Sequence, residues 1–429
     1  MRLRVTGPAS SPRGAISVPG DKSISHRGLL LAALASGPSR IRGLLRSGVT
    51  SSMLEALQQL GVDAAFVRED DLVVLGRDWR QPDVALDCGR SATTLRLLLG
   101  ALAAQPLQVT LSGEPQLRRR PMGRVVEPLR RMGAHIQGAN GGSQPPLQVK
   151  GSQLSGIEYH MDVASAQVKS ALILAGLRAE GRTTIYEPGP ARDHTERLLR
   201  SLGVPLRVSN GTIEVSRLDG PLPSFQLHVP GDLSSAAFPL VAAAAIPGGA
   251  LHVKDVGLNP RRTGLLDALR EMGARVDLEA TRLEQGEPVG DVRVEAADLR
   301  AVRVAGDQVV RMIDEIPVLA VAMTQAQGES VVADAEELRV KESDRIGALA
   351  AELRKMGAEI ETRPDGFCIR GPVRLLGAEV SSHGDHRLAM SLVVAGLLAE
   401  GETVIDGAEV IDESYPGFLD GLRTVGVEI

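Results

Sequence analysis

Apolar segments rich in alanine and leucine recur along this chain, and each runs into a turn. This pattern predicts six short helices. The copies are HRGLLLAALASG, TTLRLLLGALAAQ, VKSALILAGLRAEG, SAAFPLVAAAAIPGG, IPVLAVAMTQAQG and HRLAMSLVVAGLLAEG. Strand-like runs follow five of them, namely IRGLL from 41, TTIYEP from 183, LHVKDV from 251, SVVADA from 330 and TVIDGA from 403. The repeating element is therefore a mixed helix–strand unit.

A second phrase, leucine followed by three residues, a glycine and then alanine or valine, marks the end of another helix in each unit. The leucine lies on the buried face, and the glycine takes the left-handed cap conformation that other residues avoid. The six glycines are Gly61, Gly133, Gly203, Gly273, Gly357 and Gly426. Their period of about 70 residues is typical of a repeat architecture. We therefore predict an α/β protein built from six copies of one unit.

Polar residues precede each alanine-rich helix. They stand in the segments 19–27, 87–96, 162–170, 230–238, 311–317 and 383–387. Asp, Ser and Thr side chains accept hydrogen bonds from the N–H groups of a helix start, which is the ordinary explanation for most of them. A helix N-terminus also favours bound anions. If the units pack with pseudo-symmetry, several of these termini converge on one cleft that receives phosphates and carboxylates.

The tetrapeptide Val-Pro-Gly-Asp occurs at 18–21 and again at 229–232. Pro-Gly is a turn signal, and the two copies bracket three of the six units. We therefore predict two three-unit domains, residues 19–229 and residues 1–18 plus 230–429. The chain would cross between the domains at both tetrapeptides, which would together form a hinge.

Composition narrows the class of protein. The 429 residues are 43% hydrophobic and 24% charged, as in soluble globular proteins. A net charge of −5 and an aromatic content of 2% argue against a nucleic-acid binder. The chain lacks an apolar run of about 18 residues and a signal-peptide pattern, so we expect a cytoplasmic enzyme without a membrane partner. Cys88 and Cys368 lie far apart and predict neither a disulfide framework nor a metal site.

Four segments combine cations with carboxylates in ways that packing does not require. Lys22, His26 and Arg27 open the first helix, where a cation is locally unfavourable unless it faces an anion. Arg120 belongs to a basic turn within residues 118–131. The other two segments are 341–345 and 384–387. Singly, each is more often a surface ion pair than a site, but together, at helix starts or turns, they favour a polyanionic ligand.

Two carboxylates are candidates for acid–base chemistry. Lys341 and Arg345 are four residues apart, which predicts that they share one helix face with Glu342 beside them. Asp314 stands shortly before Pro317, a residue that suits the first turn of a helix. Asp314 is therefore either an ordinary N-cap or a general base, and the periodicity alone leaves both interpretations open.

Seven motifs stand in a specific order along the chain, namely PGDKSISHR, RPMG, SAQVKSA, RDHTE, MIDEIPVLA, RVKESDR and GDHR. In this order they resemble the 5-enolpyruvylshikimate-3-phosphate synthases (3-phosphoshikimate 1-carboxyvinyltransferases) over nearly the whole chain. The resemblance implies a two-domain, inside-out α/β barrel of six helix–strand units, the enolpyruvyl transferase fold. It also implies a monomer without cofactor or metal. Such an enzyme closes on shikimate 3-phosphate, transfers the enolpyruvyl group of phosphoenolpyruvate to its 5-hydroxyl and releases phosphate, on the pathway to chorismate and aromatic amino acids.

By resemblance, most site residues bind one of the two substrates. Those for shikimate 3-phosphate are Lys22, Ser23, Arg27, Ser165, Ala166, Gln167, Arg192, Asp314 and Lys341. Those for phosphoenolpyruvate are Lys22, Ala92, Arg120, Gln167, Arg345 and Arg387. The resemblance makes Glu342 the acid that protonates the enol methylene, Asp314 the base at the 5-hydroxyl, and Lys22 an assistant in proton transfer. Guanidinium forks suit both substrates because they bind oxyanions bidentately.

Three departures from the family pattern stand out. The family's G-N-[AS]-G-T loop reads GRSAT here, so that Arg90 replaces an amide and Ala92 replaces a glycine. Glu413 stands where many relatives place a lysine. The sequence SAQ at 165–167, with Arg192, resembles the branch of the family that tolerates glyphosate. We therefore expect glyphosate, a mimic of phosphoenolpyruvate, to inhibit only weakly.

Two alternatives stay open at this point. A sister family transfers enolpyruvate to UDP-N-acetylglucosamine, but it typically has Lys-Asn where this chain has Lys22-Ser23, and a loop cysteine that residues 110–125 lack. A non-catalytic phosphometabolite-binding protein on the same scaffold would require loss of the acid–base residues, and Lys22, Asp314 and Glu342 are all present. An assay of phosphate release with each acceptor separates the three hypotheses.

Overall fold

The structure is a computed structural model that describes residues 1–429 and contains two compact units. The N unit consists of Gly20–Val229 and Glu284–Glu287, and the C unit of Met1–Pro19, Pro230–Leu283 and Pro288–Ile429. These bounds differ from the predicted domains at Pro19 and at residues 284–287. The hinge expected at 18–21 and 229–232 stays a prediction. None of the helices is both long enough and apolar enough to cross a membrane.

The chain begins in the C unit and then builds the N unit from three repeats. The opening strands are β1 (Arg2–Gly7) and β2 (Arg13–Ser17). The first repeat contains α1 (Lys22–Leu34), β3 (Ala35–Arg42), α2 (Gly48–Gln59), β4 (Asp63–Arg68) and β5 (Asp71–Gly76). The second contains β6 (Leu86–Asp87), α3 (Ala92–Leu102), β7 (Gln108–Ser112), α4 (Pro115–Arg118), α5 (Gly123–Arg131), β8 (His135–Gly138), α6 (Ala139–Gly142) and β9 (Gln144–Lys150). The third contains β10 (Glu158–His160), α7 (Ala166–Gly176), β11 (Arg182–Tyr186), α8 (His194–Ser201), β12 (Leu206–Ser209) and β13 (Thr212–Ser216), and β14 (Leu222–Pro223) and β15 (Gln226–His228) follow.

Three further repeats complete the C unit. The fourth contains α9 (Leu233–Ala245), β16 (Ala250–Gly257), α10 (Gly264–Glu271), β17 (Arg275–Glu284) and β18 (Glu287–Glu295). The fifth contains β19 (Arg303–Val304), α11 (Asp307–Met312), α12 (Ile316–Thr324), β20 (Gly328–Val332), a 3₁₀ helix (Glu336–Val340), α13 (Arg345–Lys355), β21 (Glu359–Arg363) and β22 (Gly366–Gly371). The sixth contains β23 (Glu379–Ser381), α14 (His386–Leu398), β24 (Gly401–Asp406), a 3₁₀ helix (Ala408–Glu413) and α15 (Phe418–Thr424).

Each repeat contributes one small mixed sheet. A short strand runs parallel to the strand that follows the apolar helix, and a hairpin pairs antiparallel with its other edge, as in β10-β11-β13-β12. The same order recurs in β6-β7-β9-β8 and β19-β20-β22-β21. Strands distant in sequence complete the others: β14 and β15 lie on β3, β2 lies on β16, and β1 pairs with β24. In each unit, strands that lie outside the three repeats therefore complete the sheets: β14 and β15 in the N unit, and β1 and β2 in the C unit.

The alanine-rich helices form the interior of each unit. In the N unit α1, α3 and α7 pack together, and in the C unit α9, α12 and α14 do so. Small residues are required there because the helices approach closely. A β-carbon at Gly100 of α3 would lie 2.3 Å from the carbonyl oxygen of Ala171 of α7. Helices inside and sheets outside make the inside-out α/β fold that the family resemblance implies.

The helix-end glycines were predicted correctly, and one strand was not. All six glycines have positive φ values, from 77° at Gly203 to 106° at Gly133. The strand of the first repeat begins at Ala35, well before the expected start at Ile41. Gly37 and Pro38 belong to this strand, with Gly37 opposite Gly76 and Pro38 opposite Leu75 in the ladder with β5.

Candidate functional site

Polar side chains cap five of the six inner helices, as the sequence predicts. Each accepts a hydrogen bond from a backbone N–H two or three residues ahead, such as Asp21 Oδ1 from Ile24 at 2.8 Å. The five capping residues are Asp21, Ser91, Ser165, Asp232 and Asp385. The first turn of each of these helices is therefore held in a defined conformation, and in α1, α3, α7 and α14 it contains candidate ligand residues.

The remaining inner helix, α12, begins differently. Its N-cap is Glu315, whose side chain makes no capping bond. Asp314 precedes the cap, and its carboxylate contacts Arg345. The interpretation of Asp314 as an N-cap is therefore wrong, because the helix starts one residue later. Its role as a base stays a prediction.

His26 fixes the first turn of α1. Its Nδ1 donates to the carbonyl oxygen of Lys22 at 2.7 Å, and its Nε2 lies 3.1 Å from the hydroxyl of Ser91. The carbonyl oxygen of Val49 also lies 3.1 Å from Nε2, so that backbone carbonyls face both ring nitrogens. Burial lowers the pKa of His26 to about 4. The ring is therefore neutral and does not belong to the cationic group at this helix start, although the sequence placed it there.

Arg27 carries the buried positive charge of α1. Its Nε donates to Thr195 Oγ1 at 2.7 Å, and its Nη2 donates to Ser170 Oγ at 2.8 Å. A third bond, from Nη1 to the carbonyl oxygen of Ser23, measures 3.0 Å. Burial, together with the like charge of Arg192, lowers the pKa of Arg27 to about 10, so that it stays charged at neutral pH. The guanidinium groups of Arg27 and Arg192 are therefore close enough for their charges to interact.

A side-chain network joins α3, α7 and the basic turn. Gln167 Nε2 donates to Thr93 Oγ1 at 2.9 Å, and Gln167 Oε1 accepts from Arg96 Nη1 at 2.5 Å. Arg96 Nη2 also donates to the carbonyl oxygen of Pro121 at 2.9 Å, next to Arg120. Sequence reasoning missed Arg96, because it lies in the middle of an apolar helix and no local pattern marks it.

A buried ion cluster supports the segment that carries Arg192. Lys169 Nζ lies 2.7 Å from Glu187 Oε2 and 2.7 Å from Glu196 Oε1, and all three side chains are buried. The same nitrogen donates to the carbonyl oxygen of Ala191 at 3.2 Å. Lys169 therefore holds the chain on both sides of Arg192. The motif SAQVKSA contains this lysine, but its partners are distant in sequence and the pattern did not reveal its role.

Arg345 organises the carboxylates of the C unit. Its side chain is only 1% exposed. Nη1 donates to Asp314 Oδ1 at 3.1 Å and Nη2 to Glu342 Oε2 at 2.7 Å. Nε donates to Asp385 Oδ2 at 2.8 Å. Burial lowers the pKa of the guanidinium, but the three carboxylates raise it by more, so Arg345 is a fixed positive charge shared by both candidate acid–base groups.

Arg387, in the first turn of α14, also contacts Asp314. Its Nη1 donates to the backbone carbonyl of Asp314 at 3.3 Å, and its Nη2 lies 3.5 Å from Asp314 Oδ2. The Nη1 atom lies 3.9 Å from Glu315 Oε1. Arg387 is buried, and its guanidinium lies between the carboxylates of Asp314 and Glu315.

Lys341 and Arg345 do not share a helix face, and the sequence prediction is wrong on this point. Lys341 follows the 3₁₀ helix in an extended conformation, with φ −80° and ψ −152°. A new helix begins only at Arg345, where Asp344 is the N-cap and accepts from the backbone N–H of Gly347 at 3.1 Å. The cap interrupts the helix that the i and i+4 spacing assumed. Glu342 reaches Arg345 from the connecting segment.

The residues that depart from the family pattern have partners in their own units. Arg90 Nε donates to Gln116 Oε1 at 2.8 Å and lies 3.8 Å from Glu114 Oε2. Ala92 is the first residue of α3, and its side chain is buried. Glu413 Oε2 lies 3.8 Å from His386 Nδ1.

The candidate residues fall into one set in each unit. The N unit contains Lys22, Ser23, Arg27, Ala92, Arg120, Ser165, Ala166, Gln167 and Arg192. The C unit contains Asp314, Lys341, Glu342, Arg345 and Arg387. Within the C unit, Asp314, Glu342 and Arg387 are joined through Arg345 and direct contacts. No group of three or more His, Cys, Asp or Glu side chains is arranged to hold a metal ion.

Comparison with known proteins gives matches over almost the whole chain. The model of one family, EPSP synthase (3-phosphoshikimate 1-carboxyvinyltransferase), matches residues 8–422. A 3-phosphoshikimate 1-carboxyvinyltransferase of Synechococcus sp. is 50% identical over 97% of this chain and 95% of the relative. One of Gloeobacter violaceus is 51% identical over 97% of this chain and 98% of the relative. Among solved structures, an EPSP synthase of Acinetobacter baumannii has a TM-score of 0.88 and 38% identity, covering 99% of this chain and 98% of that one.

Proposed function

The chain belongs to the EPSP synthase (3-phosphoshikimate 1-carboxyvinyltransferase) family of transferases, and from this premise we propose that it transfers the enolpyruvyl group of phosphoenolpyruvate to the 5-hydroxyl of shikimate 3-phosphate. The observation that carries the proposal is the pair Asp314 and Glu342 on one buried guanidinium, that of Arg345. An addition–elimination requires a positioned acid and a positioned base, and Arg345 holds these two carboxylates in place.

Shikimate 3-phosphate is assigned to the helix starts of the N unit. Its phosphate needs concentrated positive charge and hydroxyl or amide donors. Arg27 keeps its charge at neutral pH, and the nearby Arg192 adds a second guanidinium. Ser23, Ser165, Ala166 and Gln167 stand at the starts of α1 and α7, where N–H groups favour anions. Asp314 and Lys341 of the C unit are assigned to its hydroxyls.

Phosphoenolpyruvate is assigned to Lys22, Ala92, Arg120, Gln167 and Arg387, with Arg345 close to the reacting groups. Arg345 donates to three carboxylates, so we assign it the role of a fixed charge that orients Asp314 and Glu342. Arg387 has longer contacts with its carboxylate neighbours, which suits a cation that also binds a ligand. No cofactor is needed for this chemistry.

The proposed reaction has two stages. In the addition, Asp314 takes the proton of the 5-hydroxyl while the oxygen of that hydroxyl bonds to C2 of phosphoenolpyruvate. Glu342 gives a proton to C3. The product is a tetrahedral ketal that still carries the phosphate. In the elimination, the C2–O bond to phosphate breaks, C3 returns a proton to Glu342, and the phosphate leaves with the proton held by Asp314, assisted by Lys22. The sum is one ether product and one inorganic phosphate.

Weak inhibition by glyphosate is a second part of the proposal. Ala92 replaces the glycine that the family places against phosphoenolpyruvate or glyphosate, and the latter is the longer molecule. The added methyl group is buried at the start of α3. Close-packed sites resist even one extra methyl group, so the longer ligand is penalised more than the substrate.

The test is an assay of phosphate release with phosphoenolpyruvate and each acceptor in turn. We expect steady release with shikimate 3-phosphate and none above background with UDP-N-acetylglucosamine. Release with the sugar nucleotide alone would assign the chain to the sister activity. No release with either acceptor, from a protein that binds shikimate 3-phosphate, would favour a non-catalytic binding protein.

A further inference from the structure

A row of buried charges of alternating sign runs through the C unit beside the two candidate acid–base residues. Arg262 Nη2 lies 2.9 Å from Asp232 Oδ1, at the start of α9. Glu315 follows, and then Arg387, whose Nη2 lies 3.5 Å from Asp314 Oδ2. The chemistry proposed above uses Asp314 and Arg387, but it gives no role to Glu315.

Glu315 has an unusual environment for a glutamate. Its side chain is 1% exposed. Oε1 accepts from the hydroxyl of Ser234 and lies 3.9 Å from both Arg262 Nη2 and Arg387 Nη1. Oε2 is buried and has no hydrogen-bond partner. Burying a charged group with an unpaired oxygen costs stability. The position of this carboxylate therefore calls for a reason other than stability.

The charge of Glu315 competes with that of Asp314 for one guanidinium. Arg387 Nη1 lies near Glu315, while Nη2 lies near Asp314. If the charge of Glu315 were removed, Asp314 would be the only carboxylate within 4 Å of Arg387, and attraction in a buried site is strong. The guanidinium would then move towards Asp314, its donors would be taken by that carboxylate, and fewer would remain for an anionic ligand.

We infer that Glu315 is a positioning residue, which holds Arg387 between two carboxylates and so keeps it available to phosphoenolpyruvate. The inference rests on the proposed function, because that function assigns Arg387 to this substrate. Ser234 and Arg262 fix Glu315 in turn, since both contact the same oxygen of its carboxylate. The start of α9 thereby supports a binding residue on α14.

Steady-state kinetics of Glu315→Gln test this inference. Glutamine has nearly the same shape and its carbonyl oxygen can still accept from Ser234, so the substitution removes the charge and exchanges the oxygen Oε2 for an NH2 group. We expect the KM for phosphoenolpyruvate to rise about tenfold or more, as for loss of a buried charge partner, while the KM for shikimate 3-phosphate changes less than about threefold. Glu315→Asp keeps the charge at a shorter reach, so its KM for phosphoenolpyruvate should fall between those of Glu315→Gln and the wild type.

The matched control is Glu352→Gln in the same unit. Glu352 is also a buried glutamate, paired with Lys355 at 2.6 Å and His383 at 2.8 Å. We expect this variant to keep both KM values near those of the wild type. Equal rises in both KM values of Glu315→Gln, or the same change in Glu352→Gln, would reduce Glu315 to a structural role and overturn the inference.

Three further outcomes are distinguishable. If Glu315→Gln does not fold, Glu315→Asp gives the answer, because a selective rise in the KM for phosphoenolpyruvate supports the inference and an unselective or absent rise contradicts it. A wild-type protein without turnover contradicts the proposed function itself. A wild-type protein with turnover, beside a Glu315→Gln variant with unchanged KM values, contradicts the positioning role alone.

Discussion

Arg345 donates from Nη1 to Oδ1 of Asp314 at 3.1 Å, so that the proposed base and a fully buried cation form one ion pair. Nη2 of the same guanidinium donates to Glu342 at 2.7 Å. The proposed base and the proposed acid therefore share a counter-ion, and the proton affinity of each depends on Arg345. Changes at these three positions are expected to act on one another and not to add.

The two carboxylates give the first prediction. We expect Asp314→Asn and Glu342→Gln each to lower kcat by at least about 100-fold, the usual scale for a positioned acid or base. Glu342→Gln should still bind shikimate 3-phosphate, because Glu342 is not among the residues assigned to bind that substrate. Turnover by phosphate release and binding by calorimetry provide the measurement. A variant that turns over at nearly the wild-type rate would refute the role assigned to its residue.

The second prediction concerns Arg345 and stability. Arg345→Met leaves the fully buried Asp385 without this counter-charge, and it removes one counter-charge from Asp314 and from Glu342. We expect the free energy of unfolding to fall by about 3–5 kcal/mol, measured by urea denaturation. The control is Arg370→Met, which breaks the exposed pair with Glu329 and should cost less than about 1 kcal/mol. Similar losses in the two variants would contradict the organising role of Arg345.

The third prediction concerns His26 and pH. Burial lowers its pKa from the ordinary 6.5 to about 4 in the folded protein. Between these values the unfolded chain binds a proton at His26 that the folded chain does not, so stability falls as the pH falls from 6.5 towards 4. The free energy of unfolding that His26 contributes above pH 6.5, and that is lost by pH 4, is about 3 kcal/mol. In His26→Gln this part of the pH dependence should vanish, as urea unfolding at several pH values would detect. If the free energy of unfolding depended on pH in the same way in the wild type and in His26→Gln, the pKa of His26 would not be lowered by folding.

The fourth prediction concerns Ala92 and glyphosate. In Ala92→Gly, the inhibition constant of glyphosate, competitive against phosphoenolpyruvate, should fall by roughly 5- to 150-fold as the methyl group is removed. The control is Ala101→Gly in the same helix, which repeats the loss of helix propensity away from the N-terminus. Tight inhibition of the wild-type protein, or equal constants in all three proteins, would exclude the steric explanation. Arg90 and Glu413 would then be the next residues to test.

The sequence predicted the fold well because its signals are local and periodic. A glycine after a leucine-rich helix can be read within a few residues, and all six such glycines have the expected positive φ. The polar residue before five of the six apolar helices predicts its cap for the same reason, as at Asp21 and Asp385. One exception is the pair Lys341 and Arg345, where a spacing of four residues suggested a continuous helix that Asp344 interrupts.

The side-chain contacts that hold the candidate residues in place could not be predicted, because they link residues distant in sequence. Gln167 pairs with Arg96, 71 positions earlier, and Glu315 accepts from Ser234, 81 positions earlier. Burial decides the chemistry of such groups as much as their identity does. His26 reads as part of a cationic helix start in the sequence, but it is neutral once buried against Ser91. Only packing determines these partners.

The addition–elimination assigned to Asp314 and Glu342 is tested most directly by running the reaction in D₂O and reading the vinyl protons of the product by NMR. In the proposed chemistry, C3 of phosphoenolpyruvate becomes a methyl group in the ketal and then loses one hydrogen. We therefore predict a carboxyvinyl ether of shikimate 3-phosphate with deuterium in its vinyl group, formed together with one equivalent of phosphate. An ether without deuterium at C3, or phosphate released without any ether, would contradict the account.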